Sequence, residues 1–117
     1  MNLLFVYGTL RMRGRAPLTA MCSAEFVGYA RTAGTLLHLG EFPGMIPARD
    51  AADEVRGEVY RLNDPDGALR ALDDYEGPEF ERKLISVRCN DSEVRAWAYL
   101  YCGDVSGKPS IASGEWN

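Results

Sequence analysis

Short apolar and β-branched runs alternate with glycine, proline and Asn/Asp turns along most of this 117-residue chain. Short runs bounded by turn signals are typical of β-strands rather than of long helices. The pattern therefore predicts a fold with more strands than helices. The predicted strand segments are residues 3–7, 26–39, 55–62, 84–89 and 94–102.

Glycine and proline mark the breaks between these segments. Gly8 predicts a tight turn directly after the first strand. The segment 26–39 contains internal glycines and forms either two strands or one long strand bent at a glycine. Residues 40–44 include a Pro-Gly pair and predict a loop, whereas the turn at 90–92 joins the last two strands into a hairpin.

A helix is predicted to begin at Asp64, which can cap the N-terminus, with Pro65 in the first turn. Gly77 followed by a proline predicts its end. One or two further helical turns are expected within 17–24, and residues 103–117 are expected to be irregular. One face of the main helix is apolar and carries Ala68, Leu69, Leu72 and Tyr75.

These elements indicate a single α+β domain that covers residues 1–117. Its strands are expected to pair mainly antiparallel in a small closed or half-closed sheet with one or two short helices.

Composition narrows the class of protein. A net charge of -4 argues against a protein that follows the phosphates of a nucleic acid. Cys22, Cys89 and Cys102 show no C-x-x-C spacing, which is typical of neither a disulfide framework nor a zinc site and fits a reducing compartment with small buried cysteines. The N-terminal apolar run is too short for a secretion signal, and no run approaches the ~20 residues of a membrane span. We therefore expect a cytoplasmic protein.

Three carboxylates crowd the predicted end of the helix: Asp73, Asp74 and Glu76. Each exposed acid there opposes the helix dipole by ~0.3–1 kcal/mol, and a local rule broken without local gain points to function. The dipole, the neighbouring acids and partial burial would each raise the pKa of Glu76, as a general base near neutral pH requires. The alternative is an ordinary solvated glutamate.

A second candidate feature is the turn formed by Tyr7, Gly8, Thr9 and Leu10. A strand that runs into a glycine turn exposes consecutive backbone N–H groups, and such groups can hold a carboxylate or an oxyanion. Gly8 allows a ligand to approach the backbone, and Thr9 adds a hydroxyl. The alternative is a turn with a purely structural role.

The remaining candidates carry less information. Trp97, Tyr99 and Tyr101 share one strand face, which either packs in the core or, if the sheet closes, lines a pocket with its tyrosine hydroxyls as polar groups. Arg82 could pair with an acid or with a substrate carboxylate. His38 has no catalytic partner nearby in the sequence. Because no nucleotide-loop or metal motif is present, neither a cofactor nor a metal is expected.

Several segments, taken in order, resemble the γ-glutamylcyclotransferase-like (AIG2-like) family over nearly the whole chain. They are Phe5-Val6-Tyr7-Gly8-Thr9-Leu10-Arg11, Gly40-Glu41-Phe42-Pro43-Gly44, Val55-x-Gly57-Glu58-Val59-Tyr60, Leu72-Asp73-Asp74-Tyr75-Glu76-Gly77 with Phe80-x-Arg82, Ala96-Trp97-x-Tyr99, and Ser113-Gly114-Glu115-Trp116. The resemblance implies a small mixed-sheet β-barrel with short helices.

The resemblance also implies a reaction. Family enzymes act on γ-glutamyl amides, whose own α-amine attacks the γ-carbonyl, closes a 5-oxoproline ring and releases an amine. The family's catalytic glutamate aligns with Glu76, which would act as general acid/base. The backbone of Tyr7, Gly8, Thr9 and Leu10 would hold the substrate carboxylate or the oxyanion. Phe42 and Tyr99 would line the pocket.

Two points stay open at the level of sequence. Relatives often carry tyrosine at the position of Phe80, so a hydroxyl role there is lost, and the leaving amine and the oligomeric state are not predicted. A small-molecule binding module on the same barrel is the alternative to an enzyme, and hydrolysis or amide transfer by the same site is a weaker one.

Overall fold

The computed structural model describes residues 2–12, 14 and 17–116. Its single α-helix within these residues, α1, spans Pro65–Glu76, and a short 3-10 helix spans Leu18–Ala20. The strands are β1 (Leu3–Val6), β2 (Ala24–Ala33), β3 (Thr35–His38), β4 (Pro43–Ile46), β5 (Glu54–Leu62), β6 (Phe80–Cys89) and β7 (Ser92–Tyr101).

Five of these strands close into a mixed barrel in the order β1-β5-β2-β6-β7. Each neighbouring pair in this series is antiparallel. The barrel closes through a parallel contact between β1 and β7, in which Leu4 lies opposite Trp97. The β3–β4 hairpin extends the sheet, because β4 pairs in parallel with β7. The predicted α+β class and the mainly antiparallel barrel are confirmed.

The barrel interior is apolar and is filled by alternate side chains of every strand. Phe5 and Tyr7 come from the β1 side, and Val59, Val87 and Ala98 from three other strands, all nearly inaccessible to solvent. Strand β1 is buried on both faces, since Leu4 and Val6 point away from the interior into a second apolar cluster.

That second cluster lies between the barrel and α1. The helix contributes Ala68, Leu69 and Leu72, in agreement with the apolar face predicted from the sequence, whereas Tyr75 remains 47% exposed. Asp64 caps the helix by accepting a hydrogen bond from the Gly67 N–H at 3.3 Å. The helix ends at Gly77, whose φ of 81° lies in the left-handed region that favours glycine.

Most predicted boundaries agree with the structure, and the differences are informative. The segment 26–39 forms two strands, with the break at Gly34. The predicted loop at 40–44 is wrong for its second half, because β4 begins at Pro43 and hydrogen-bonds with β3. Of the cysteines, Cys89 is buried as expected, but Cys102 is exposed.

Residues 103–117 were expected to be irregular, and their described part contains no helix or strand; it forms a single isolated bridge, from Ser110 to Leu37. Ile111 and Trp116 pack against the interior cluster. Arg11, in the loop after β1, donates to the carbonyl of Trp116, and its guanidinium also lies 3.5 Å from the Glu115 carboxylate. The end of the described chain is thereby tied to the loop that follows β1.

Close packing explains why Gly57 interrupts an otherwise apolar strand. A Cβ atom at this position would collide with the carbonyl oxygen of Val6 and would lie 2.9 Å from the Phe5 ring. Strands β1 and β5 therefore approach each other only because residue 57 has no side chain.

We predict that Gly57→Ala lowers the free energy of unfolding by about 1–3 kcal/mol, because the added methyl group must push β1 away from β5. Urea unfolding measures the change. Gly28→Ala is a matched control in the neighbouring strand, where the nearest atoms to the added Cβ belong to the side-chain amide of Asn90 rather than to the backbone. An equal loss in both variants would contradict the argument.

Candidate active site

A cavity of about 340 Å³ opens where the end of β1, the start of β4 and the C-terminal end of α1 meet. Every residue predicted for the site lines this one cavity. These residues are Tyr7, Gly8, Thr9, Leu10, Phe42, Glu76 and Tyr99. The fold therefore brings together segments that are separated by up to 92 positions in the sequence.

Glu76 is the last residue of α1, and its half-buried carboxyl group borders the cavity. Burial raises its pKa from 4.5 to about 7. Within the described residues, the carboxyl has no hydrogen-bond or ion-pair partner. Of the three causes that the sequence suggests, namely the helix dipole, the neighbouring acids and partial burial, the structure assigns the shift to burial.

The charge of Glu76 also reaches two tyrosines of the cavity wall. Burial raises the pKa of Tyr7, and the negative charge of Glu76 adds to this effect. Burial likewise raises the pKa of Tyr99, with Asp73 and then Glu76 as further acidic contributions. Glu76 and these two tyrosines therefore interact electrostatically across one cavity, which all three line.

The turn after β1 lines the cavity, and its backbone N–H groups differ from its carbonyls in their hydrogen bonding. The carbonyls of Gly8 and Leu10 accept from Arg11 and Leu18, at 3.1 and 2.9 Å. By contrast, no acceptor among the described residues pairs with the N–H groups of Gly8, Thr9 and Leu10. Three consecutive donors are thus available, as a binding turn for an anion or an oxyanion requires.

Gly8 is also needed for the shape of the cavity. A Cβ atom on Gly8 would lie 2.9 Å from Cγ of Pro43, which forms the opposite wall. Real Cβ atoms do not approach so closely, so any side chain at residue 8 displaces the start of β4.

Tyr7 joins three strands through its hydroxyl group. The hydroxyl donates to the Tyr99 carbonyl at 2.7 Å and accepts from the Met45 N–H at 3.0 Å. It thereby connects β1 to both β7 and β4. Because its proton is already used, the side chain of Tyr7 forms the wall of the cavity rather than a polar contact for a ligand.

Tyr99 is committed in a similar way. Its hydroxyl donates to Oδ1 of Asp73 at 2.7 Å. The expectation that the tyrosine hydroxyls on this strand face would act as polar handles is therefore wrong for Tyr99, whose ring borders the cavity while its proton serves the helix.

Asp73 anchors the end of α1 to the barrel. Arg82 on β6 donates to it from Nε at 2.9 Å and from Nη2 at 3.3 Å. The guanidinium of Arg82 lies 4.4 Å from the centre of the Trp97 ring, so it is held between a carboxylate and an aromatic face. These contacts, that of Arg82 first, lower the pKa of Asp73. Glu76 lies three residues later on the same side of α1, so the contacts that hold Asp73 on the barrel also fix the position of Glu76.

Sequence reasoning missed part of the cavity. Glu41, Pro43 and Tyr75 line it, and Phe80 completes its aromatic side, with ring centres of Phe42 and Phe80 6.2 Å apart. Each of these residues stands beside a predicted site residue in sequence or space. Tyr75 could have been predicted from the sequence, because it directly precedes Glu76. The position of Phe80 in the cavity wall depends on the tertiary fold and could not.

The described part of the chain offers neither a metal cluster nor a membrane-spanning helix. There, no group of histidine, cysteine, aspartate and glutamate side chains is arranged to hold a metal ion. The same residues include no helix with the length and apolarity that crossing a bilayer demands.

The fold and this cavity agree with a known family. A family model described as gamma-glutamyl cyclotransferase, AIG2-like, matches residues 4–117. The chain belongs to this family. The match covers the turn after β1, the end of α1 and the tail, so it spans every segment that forms the cavity.

Solved structures share the same fold. YtfP from Escherichia coli is 34% identical, with a TM-score of 0.68 and coverage of 97% of this chain and 95% of that one. YkqA from Bacillus subtilis is 26% identical with a TM-score of 0.79; the match covers 98% of this chain but only 39% of YkqA. An AIG2-like protein from Mus musculus has a TM-score of 0.80 at 24% identity, covering 100% of this chain and 88% of that one. The comparison with curated proteins finds no match.

The raised pKa of Glu76 predicts a pH-dependent stability. Between pH 4.5, the ordinary pKa, and about 7, the pKa in the fold, the folded protein binds more protons than the unfolded chain. Stability due to this group is therefore complete below pH 4.5 and is lost as the pH rises through about 7, by on the order of 3 kcal/mol. Glu76→Gln should consequently be more stable than the wild type at pH 8 but not at pH 4.

Urea unfolding of both proteins across this pH range tests the expectation. Asp74→Asn removes an exposed carboxylate from the same helix end, where each acid opposes the dipole by only ~0.3–1 kcal/mol, so its difference from the wild type should change by less than about 1 kcal/mol between the two pH values. If the difference between Glu76→Gln and the wild type did not change with pH, the buried environment of Glu76 would be disproved.

Proposed function

We propose that this protein is a γ-glutamyl cyclotransferase that releases an amine or an amino acid from a γ-glutamyl amide and forms 5-oxoproline, with Glu76 as general acid/base. One observation carries the proposal. A half-buried carboxyl with a pKa of about 7 shares a single cavity with the unpaired N–H groups of Gly8, Thr9 and Leu10. Membership of the cyclotransferase family supports the same reaction.

The proposed reaction needs little from the protein beyond proton transfer and positioning. The α-ammonium of the substrate loses a proton to Glu76, and the resulting amine attacks the γ-carbonyl carbon. A new C–N bond closes the five-membered ring, protonated Glu76 gives its proton to the departing nitrogen, and the original amide C–N bond breaks. The ring nitrogen then loses its second proton through the Glu76 carboxylate to the released amine, which leaves as an ammonium ion, so Glu76 ends in its starting form. Because the nucleophile belongs to the substrate, holding the chain in a cyclic conformation supplies much of the acceleration.

The pKa of Glu76 suits both halves of this proton transfer. A carboxyl with an ordinary pKa near 4.5 would be a weak base and, at neutral pH, almost never an acid. At a pKa of about 7, both forms are well populated near neutrality, which is where general catalysis is most effective.

The turn after β1 provides the complementary role. As the amine attacks, negative charge develops on the γ-carbonyl oxygen, and fixed N–H donors stabilise such charge without reorganising. The donors of Gly8, Thr9 and Leu10 could serve this oxygen or the α-carboxylate of the substrate, both of which are anionic acceptors. The aromatic wall of Phe42, Phe80 and Tyr99 supports the proposal by limiting water around the reacting groups.

Activity assays test the proposal directly. Incubation with a panel of γ-glutamyl amides, followed by chromatographic detection of 5-oxoproline, should reveal turnover by the wild type. Glu76→Gln should lower kcat/KM by about 10²–10⁴-fold, the usual contribution of a general acid or base. The wild-type kcat/KM should rise with pH up to about 7, the pKa of the free carboxyl. Asp74→Asn should keep its activity.

Two results would count against the proposal. Undiminished turnover by Glu76→Gln would remove the assigned role of the carboxyl. A failure to turn over any amide, together with tight binding of one of them to the same cavity, would favour a small-molecule binding module instead.

A separate variant tests the turn. Gly8→Ala should raise KM and lower kcat/KM, because the new methyl group pushes Pro43 and narrows the cavity between residue 8 and β4. Gly28→Ala, on the outside of this cavity, serves as the control and should leave both constants unchanged. Normal kinetics in Gly8→Ala would show that substrate does not lie against this turn.

A further inference from the structure

Three arginines lie side by side on the outer face of the barrel, on the neighbouring strands β5, β2 and β6. Arg31 is in register with Arg56 on one side and with Arg88 on the other, and all three side chains are exposed. Since neighbouring strands are ~4.8 Å apart, this arginine row spans about 10 Å. Like charges directly opposite each other destabilise a sheet, so the row has a local cost that a bound anion would offset.

The arginine row is poorly neutralised within the described residues. Its one ion pair there joins Nε of Arg31 to Glu54 at 3.6 Å, with both side chains more than half exposed, and such pairs contribute little in water. Arg88 donates to the backbone carbonyl of Asp91 at 3.4 Å, a long contact. Arg56 forms no ion pair in that part of the chain. Most of the donors of the row are therefore free for a ligand.

The row borders a groove of about 780 Å³ that shares no lining residue with the candidate active site. Its volume is in the range of ~300–1,000 Å³ found for small-molecule pockets. Arg11 adds a fourth guanidinium to its lining, which also includes the side of β2 that carries Tyr29.

Carboxylates also border the groove, but most of them are already engaged. Glu58 is only 7% exposed and accepts hydrogen bonds from the Met12 N–H at 2.9 Å and from the Tyr60 hydroxyl at 3.0 Å. Glu115 lies 3.5 Å from Arg11. Asp91 stands in the turn between β6 and β7, beyond the end of the row. Glu54 and Glu93 stand beside the row itself, the latter in register with Arg88, but three guanidiniums outnumber these two exposed carboxylates and the row keeps a net positive charge.

An exposed aromatic ring lies beside the row. Tyr29 is two residues before Arg31 on β2, so both point to the same face, ~7 Å apart along the strand. Its side chain is 72% exposed although it is large and partly apolar, and its ring makes a T-shaped contact with Phe26 at 5.3 Å between ring centres. The ring of Tyr29 thus has one aromatic neighbour and remains largely accessible for stacking.

From this juxtaposition we infer that the groove binds a nucleoside di- or triphosphate, with the phosphates on the arginine row and the base against Tyr29. Guanidinium groups bind phosphate oxygens through two parallel hydrogen bonds, and a chain of phosphates matches a row of guanidiniums better than a single carboxylate does. The inference is independent of the cyclotransferase proposal, because the two cavities are separate.

Isothermal titration of the full chain with ATP, ADP and pyrophosphate at low salt tests the inference. All three ligands should bind, and Arg31→Ala or Arg56→Ala should weaken each of them by about tenfold or more. Tyr29→Ala should weaken ATP and ADP but leave pyrophosphate unchanged. Arg61→Ala removes an exposed arginine from β5 outside the groove and should leave every affinity unchanged.

Distinct results would overturn the inference. The absence of ATP and pyrophosphate binding at millimolar concentration would do so, as would an equal loss of affinity in Arg61→Ala, which would indicate a general charge effect. Tight binding of a single-stranded oligonucleotide without binding of ATP would assign the row to a polymer instead. Since Arg56 is outside the candidate active site, 5-oxoproline formation by Arg56→Ala reports separately on the cyclotransferase proposal.

Discussion

The cavity depends on the hydroxyl group of Tyr7, which holds three strands together at its edge. This hydroxyl bonds at once to the backbone of β7, which pairs with β1, and to the backbone of β4, which also pairs with β7. Each of these hydrogen bonds contributes about 1 kcal/mol net, but a buried partner left unpaired costs about 1–3 kcal/mol, so the three strands are held as a unit. The parallel contact of Leu4 with Trp97 closes the barrel a few residues earlier on the same strand. The donors of the following turn are positioned because this closure is rigid.

The acids at the end of α1 illustrate how one local pattern serves two purposes. Asp73 is stabilised as an anion by Arg82 and Tyr99, and it holds the helix end on the barrel. Glu76, one turn later, faces an apolar cavity without such a partner in the described residues and prefers its neutral form. Asp73 thus positions the helix end, and the pKa of Glu76 is raised because that helix end is partly shielded from water.

Elements that depend on contacts between residues close in sequence could be predicted, whereas those that depend on contacts between distant segments could not. Strand periodicity, the Asp64 cap and the Gly77 stop are local signals, and each element that depends on them agrees with the structure. Glu76 could be singled out because an acid at a helix C-terminus opposes the helix dipole. Gly8 could be singled out because a strand that runs into a glycine turn exposes backbone N–H groups. The start of β4 at Pro43 could not be predicted, because its pairing with β3 and β7 overrides the turn signal of a Pro-Gly pair.

Long-range contacts explain the other differences between sequence and structure. The pairing of Asp73 with Arg82 was open at the level of sequence and became definite only when β6 packed beside α1. Burial was one of three possible causes of the raised Glu76 pKa, and only the fold singles it out, since the solvation of the carboxyl depends on side chains from separate segments. Likewise, three arginines far apart in the chain form one row only through the register of β5, β2 and β6.

The contact between Arg11 and the carbonyl of Trp116 joins positions 105 apart in the sequence. A loop of that length must close before the segment behind the Gly8 turn gains its last support, and contacts of such separation form late in folding. During synthesis, the first dozen residues leave the ribosome long before residue 116 exists. The barrel can begin to assemble in that interval, but the contact of Arg11 with Trp116 forms only after residue 116 has been made.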